Sequence, residues 1–189
     1  FTFIGSCNPV IYEKANLIFI DSEKETWNMC PNSLRIALED CRKRKILPKA
    51  IIVVHLYGMP AKMDEILSIA NEFKVAVIED AAEALGSKLN DKPCGSFGRL
   101  SILSFNGNKI ITTSGGGALV SNNLADINEA NFLSTQAKEN KPFYEHKKVG
   151  YNYKLSNILA SIGVAQLEKI NNRVDKRRKN YSFYHQLLK

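Results

Sequence analysis

One lysine, Lys109, stands in the polar, glycine-rich stretch Ser104-Phe105-Asn106-Gly107-Asn108-Lys109-Ile110-Ile111-Thr112-Thr113-Ser114-Gly115-Gly116-Gly117, between two apolar runs. An amine held partly out of water in such a loop can attack a carbonyl and form a covalent link. Taken alone, Lys109 reads first as a surface side chain, because lysines are mostly exposed. Asp80 changes that reading. It closes Val75-Ala76-Val77-Ile78-Glu79-Asp80, a buried-strand pattern ending in two carboxylates, and ligands of open α/β sheets sit beyond the carboxyl ends of the strands. The apolar run over residues 100–104 ends just before the lysine loop, so two neighbouring strand ends could aim an acid and an amine into one crevice. A strand-end acid could instead cap a following helix.

The elements that must position these groups alternate, as strands joined by crossover helices do. The pattern predicts a short helix over residues 7–14 and a strand over 17–20. Pro31-Asn32-Ser33 then opens an amphipathic helix with Leu34, Ala37, Leu38 and Cys41 at helical spacing, and residues 50–54 read as a buried parallel strand. A helix from Met63-Asp64 carries Ile66, Leu67, Ile69, Ala70 and Phe73 and leads to the strand ending at Asp80. Strands near 100 and 118 flank the lysine loop. A helix over 123–138, an exposed loop over 139–153 and one long or broken helix over 156–189 follow. On that last segment Ile158, Leu159, Ile162, Ala165, Gln166 and Leu167 form a face suited to a core or a partner subunit. Gly115-Gly116-Gly117 suits close backbone approach or positive φ. It lacks the GxGxxG spacing, which argues against a dehydrogenase.

The segments Val77-Ile78-Glu79-Asp80-Ala81-Ala82-Glu83-Ala84-Leu85-Gly86-Ser87 and Ser104 to Lys109, with Thr112-Thr113-Ser114-Gly115-Gly116-Gly117 after them, closely resemble the DegT/DnrJ/EryC1/StrS family of pyridoxal-phosphate sugar aminotransferases. His55-Leu56-Tyr57-Gly58 and Gly150-Tyr151-Asn152-Tyr153-Lys154-Leu155-Ser156-Asn157 fall in the family's order. The resemblance implies an α/β fold: the large domain of the type I aminotransferases, a mostly parallel sheet flanked by helices and incomplete at both ends. It implies a large domain over residues 1–155 that lacks its first part, and a helical connection over 156–189 toward a C-terminal small domain.

The resemblance also assigns roles. Lys109 matches the lysine that forms a Schiff base with pyridoxal 5′-phosphate and later shuttles a proton. Asp80 matches the carboxylate that keeps the pyridine nitrogen protonated, and Glu83 the position that contacts the cofactor's phenolic oxygen, where many relatives carry Gln. Ser104 matches a hydroxyl donor to the cofactor phosphate, and Asn152 an asparagine that reaches the phosphate of the neighbouring subunit's site, which makes the expected protein a homodimer. Phe3 aligns with an aromatic that stacks on the ring, although it also reads as a core residue. His55, ending the apolar run 51–54, reads first as a satisfied core histidine and second as a group beneath the cofactor.

The implied reaction moves an amino group, from glutamate, onto a keto carbon of a nucleotide-linked sugar. Two alternatives are a sugar dehydratase on the same scaffold, against which Lys109 speaks because such relatives carry histidine there, and a binding or regulatory protein without catalysis.

Composition bounds the rest. The chain has 189 residues, 44% of them hydrophobic, enough for one sizeable α/β core. The net charge of +7 could invite nucleic-acid binding, but the basic runs Arg42-Lys43-Arg44-Lys45 and Lys176-Arg177-Arg178-Lys179 lack interleaved aromatics and read as solvated helix faces. Excess positive charge also attracts anionic ligands such as a phosphate cofactor or a nucleotide sugar. Cys7, Cys30, Cys41 and Cys94 show no CxxC spacing, so no metal is expected and reduced cytoplasmic thiols fit. No apolar run approaches the roughly 20 residues of a membrane span.

Overall fold

Short apolar runs lie side by side as a sheet of mostly parallel strands in the computed structural model, which describes residues 1–188. The strands are β1 (Ala50–Val54), β2 (Ala76–Asp80), the two-residue pair β3 (Lys88–Leu89) and β4 (Lys92–Pro93), β5 (Leu100–Ser104) and β6 (Gly117–Val120). The main sheet has the order β1-β2-β5-β6, with the first three parallel and β6 antiparallel to β5. The helices are α1 (Asn8–Tyr12), α2 (Pro31–Lys43), α3 (Met63–Phe73), α4 (Leu124–Ser134), α5 (Asn157–Leu167) and α6 (Ile170–Leu187).

α2 begins at Pro31, whose fixed φ suits the first helical turn and whose missing N–H costs nothing there. Its buried Leu34 and Leu38, with Met63, Ile66 and Ile69 of α3, pack on Ile51 and Val53 of β1 and Val77 of β2. Each such side chain contributes about 1.5–3 kcal/mol when fully buried. Burial alternates along β1 and β2: helices fill one face of the sheet, while Ile102 and Leu119 on β5 and β6 remain exposed.

Two expectations are corrected by the structure. Residues 17–20 form no strand: among the described residues no backbone hydrogen bond pairs them with a neighbour, and β1 is a sheet edge. α4 stops at Ser134 rather than near 138. There the chain turns away through left-handed Gln136 and Ala137, and Gln136 N–H donates to Tyr151 O while Tyr151 N–H donates to Leu133 O. The segment over 156–189 is the broken form of the expected helix, divided between α5 and α6, and Ile158, Ile162 and Leu167 of its apolar face are exposed.

Candidate active site

Asp80 is the last residue of β2, and its backbone is fixed on both sides. Its carbonyl accepts from His55 N–H at 3.1 Å, and the next amide, Ala81 N–H, donates to Ile102 O of β5 at 3.0 Å. The side chain thus projects from the carboxyl end of the sheet. Its Oδ1 accepts from Ala82 N–H at 3.1 Å, and its Oδ2 accepts from the hydroxyl of Ser6. Residues 81–87 form successive turns, not a helix, so Asp80 caps a turn. Ser6 was not legible as a site residue: it reaches Asp80 across 74 positions of chain, and no local motif marks it.

The turns bring Glu83 back to the lysine loop. Lys109 Nζ lies 3.4 Å from Glu83 Oε1, and the pair is partly covered, with side chains 17% and 37% exposed. Glu83 Oε2 also accepts from Tyr57 N–H at 3.0 Å, which ties the His55-Leu56-Tyr57-Gly58 corner to the same carboxylate.

The loop that carries Lys109 is held at several points. Phe105 N–H donates to Gly116 O at 2.9 Å and Thr113 N–H to Phe105 O at 2.9 Å, while Lys109 N–H closes a turn on Asn106 O at 3.0 Å. Gly116 has φ +89, and a Cβ on Gly117 would lie 2.3 Å from Leu103 O, so both glycines are required by the backbone. From outside, Gln166 of α5 accepts from Thr112 N–H at 3.1 Å and donates to Thr112 O. Arg173 of α6 donates to Ile110 O at 3.5 Å. Gln166 had been counted only as part of an apolar face.

Ser104 ends β5, adjacent to the loop. Its Oγ accepts from Asn106 N–H at 3.4 Å, and its own proton has no acceptor among the described residues. Phe3 is 81% exposed, which removes the core reading and leaves its ring face open. Asn152 lies in a bridge with Thr135, where its Oδ1 accepts from Gln136 Nε2 at 3.1 Å.

His55 is fully buried and belongs to the core beneath the site. Its Nδ1 accepts from Ala61 N–H at 3.1 Å, which assigns the ring proton to Nε2, 3.0 Å from Glu79 Oε2. Glu79, also 0% exposed, accepts in addition from Gly95, Phe97 and Gly98 N–H at 2.6–2.7 Å. Burial pushes the Glu79 carboxyl up, but His55 and the three amides outweigh it and hold it below the usual carboxylate range. Among the described residues there is no cluster of metal-ligating side chains, and no helix is long and apolar enough to cross a membrane.

The strand-end carboxylate Asp80 and the strand-end hydroxyl Ser104 close the two interior strands of a mostly parallel α/β sheet, and the loop after Ser104 carries the Lys109 amine. A solved DegT/DnrJ/EryC1/StrS aminotransferase from Brucella abortus superposes on all of this chain and 51% of its own with TM-score 0.92 at 29% identity. The chain belongs to the DegT/DnrJ/EryC1/StrS aminotransferase family, whose model matches residues 1–189. EpsN of Bacillus subtilis (strain 168), whose name gives it provisionally as a pyridoxal phosphate-dependent aminotransferase, is 55% identical over 188 residues, 100% of this chain and 48% of EpsN. The GDP-perosamine synthase of Escherichia coli O157:H7 is 39% identical over 97% of this chain and 49% of its own length. The chain thus spans about half the length of the curated relatives it matches.

Proposed function

We propose that this chain carries the cofactor-holding machinery of a pyridoxal phosphate-dependent aminotransferase that moves an amino group from glutamate onto a keto carbon of a nucleotide-linked sugar. The observation that carries the reading is Lys109 Nζ beside Glu83, on the loop and turns that follow the carboxyl ends of β5 and β2 at Ser104 and Asp80. The residues fit the cofactor by their chemistry: a carboxylate, an amine, and a hydroxyl whose proton is unused. Bound there, pyridoxal phosphate supplies an electron sink for carbanion charge.

The chain's own groups do the rest. Asp80 would hold the ring nitrogen protonated, with Ser6 donating to its Oδ2. Lys109 Nζ would be the covalent attachment point and, once released, would move a proton as general base. Ser104 Oγ would donate to the phosphate, Glu83 would stand at the position beside the phenolic oxygen, and Phe3 would offer its exposed ring to the pyridine face. Asn152 would serve the phosphate of a second subunit in a homodimer. The E. coli relative, named for a GDP-linked amino sugar, supports the substrate class.

Incubating the cofactor-loaded, full-length protein with ¹⁵N-glutamate and a panel of nucleotide-linked keto sugars should place the label on a sugar. A protein that takes up cofactor at Lys109 yet labels no sugar would contradict the substrate assignment.

A further inference from the structure

Above the Lys109–Glu83 pair opens a cleft of about 430 Å³, within the size range of small-molecule sites. One wall is the Tyr57–Gly58 corner and the other is α6, which contributes Arg177 and Arg178. α6 is held close at this point: a Cβ on Gly86 would lie 2.6 Å from Val174 Cγ2. Arg173, one turn earlier, is committed to Ile110 O.

Arg177 and Arg178 have no carboxylate partner among the described residues. Lys109 and Glu83 offset one another, so two guanidiniums are the uncompensated charge of the cleft. One guanidinium matches a carboxylate, whereas two adjacent ones match a doubly charged diphosphate through paired N–H donors. Tyr57 supports the same ligand. It sits at the rim, 85% exposed, with its backbone at φ 53, a left-handed conformation unfavourable for an aromatic residue.

We propose that Arg177 and Arg178 bind the diphosphate of a nucleoside diphosphate-linked substrate, with the Tyr57 ring against the adjoining ring of that ligand. This rests on the transaminase reading above for what happens to the sugar, but the binding itself does not need the cofactor. The two basic residues thus act on the ligand instead of forming only a solvated helix face.

The test measures binding of UDP, GDP and dTDP to the full-length protein by calorimetry, for wild type, R177Q/R178Q and K176Q/K179Q. The control removes equal charge from the same helix at residues that do not line the cleft. At least one nucleotide should bind wild type and K176Q/K179Q alike and lose about tenfold or more in R177Q/R178Q. Equal nucleotide affinity in wild type and R177Q/R178Q would overturn the proposal. Arginine-dependent nucleotide binding by a protein that forms no covalent link at Lys109 would uphold the cleft and refute the transaminase reading. A covalent link with arginine-independent nucleotide binding would do the reverse.

Discussion

Lys109 Nζ and Glu83 Oε1 stand 3.4 Å apart, joining the loop after β5 to the turns after β2. Because Glu83 also accepts from Tyr57 N–H, its carboxylate organises three segments at once. A glutamine has one acceptor oxygen in place of two, so it keeps one of these contacts and gives up the other together with the charge. Glu83→Gln should therefore change stability by less than about 1 kcal/mol, as partly exposed ion pairs do, and should retain covalent cofactor uptake at Lys109. Chemical denaturation and the cofactor absorbance of the variant check this, and loss of uptake would show that the negative charge itself is needed.

Gln166 clamps the lysine loop from α5 through both backbone groups of Thr112. Gln166→Leu keeps the bulk and leaves the two groups unpaired, which costs about 1–3 kcal/mol. Urea unfolding should show that loss, and the rate of cofactor linkage at Lys109 should fall with it. An unchanged rate would mean that the loop is held by its own internal bonds.

Much of this was legible in the sequence. The apolar runs at 50–54, 76–80 and 100–104 are strands, and the i, i+3, i+4 spacing after Pro31 and Met63 gave α2 and α3, because one buried face imposes its period on the residues. Asp80 and Ser104 were readable as strand ends and Glu83 and Lys109 as residues of the turns and loop that follow, and of these the structure pairs Lys109 with Glu83. Residues 17–20 have strand composition but no neighbour, and pairing is a property of two segments. Ser6 and Gln166 were missed because each acts on a residue more than 50 positions away, which local spacing does not encode. Arg177 and Arg178 look like any basic helix face until the fold sets them across from Tyr57.

Glu79 should be the main acid-sensitive element of the core. Its folded value lies below its unfolded one, so the stabilisation is full above about pH 4.3, the ordinary glutamate value, and is lost as pH falls through the folded value. Glu79→Ala, which orphans His55 and three amides, should cost roughly 3–5 kcal/mol at pH 7. Glu79→Gln should flatten the fall in urea midpoint between pH 5 and 3, a range of about two units around that carboxylate value. A variant with the wild-type pH slope would remove Glu79 from the account.

The cysteines should differ in reactivity. Burial, helped by the Glu79 charge, pushes the Cys94 thiol up to about 11, while hydrogen bonds from Ser33 at the start of α2 lower that of half-buried Cys30. Iodoacetamide at neutral pH should therefore modify Cys30 well before Cys94. Peptide mass spectrometry over time reads the order, and the reverse order would contradict the packing around Glu79.

The central claim is that Lys109 Nζ is the covalent attachment point. The full-length protein is incubated with pyridoxal phosphate, reduced with borohydride and digested, and the modified residue is located by mass spectrometry. The account predicts the reduced adduct on Lys109 in wild type and none in Lys109→Ala. An adduct on another lysine, or one that persists in Lys109→Ala, would contradict it.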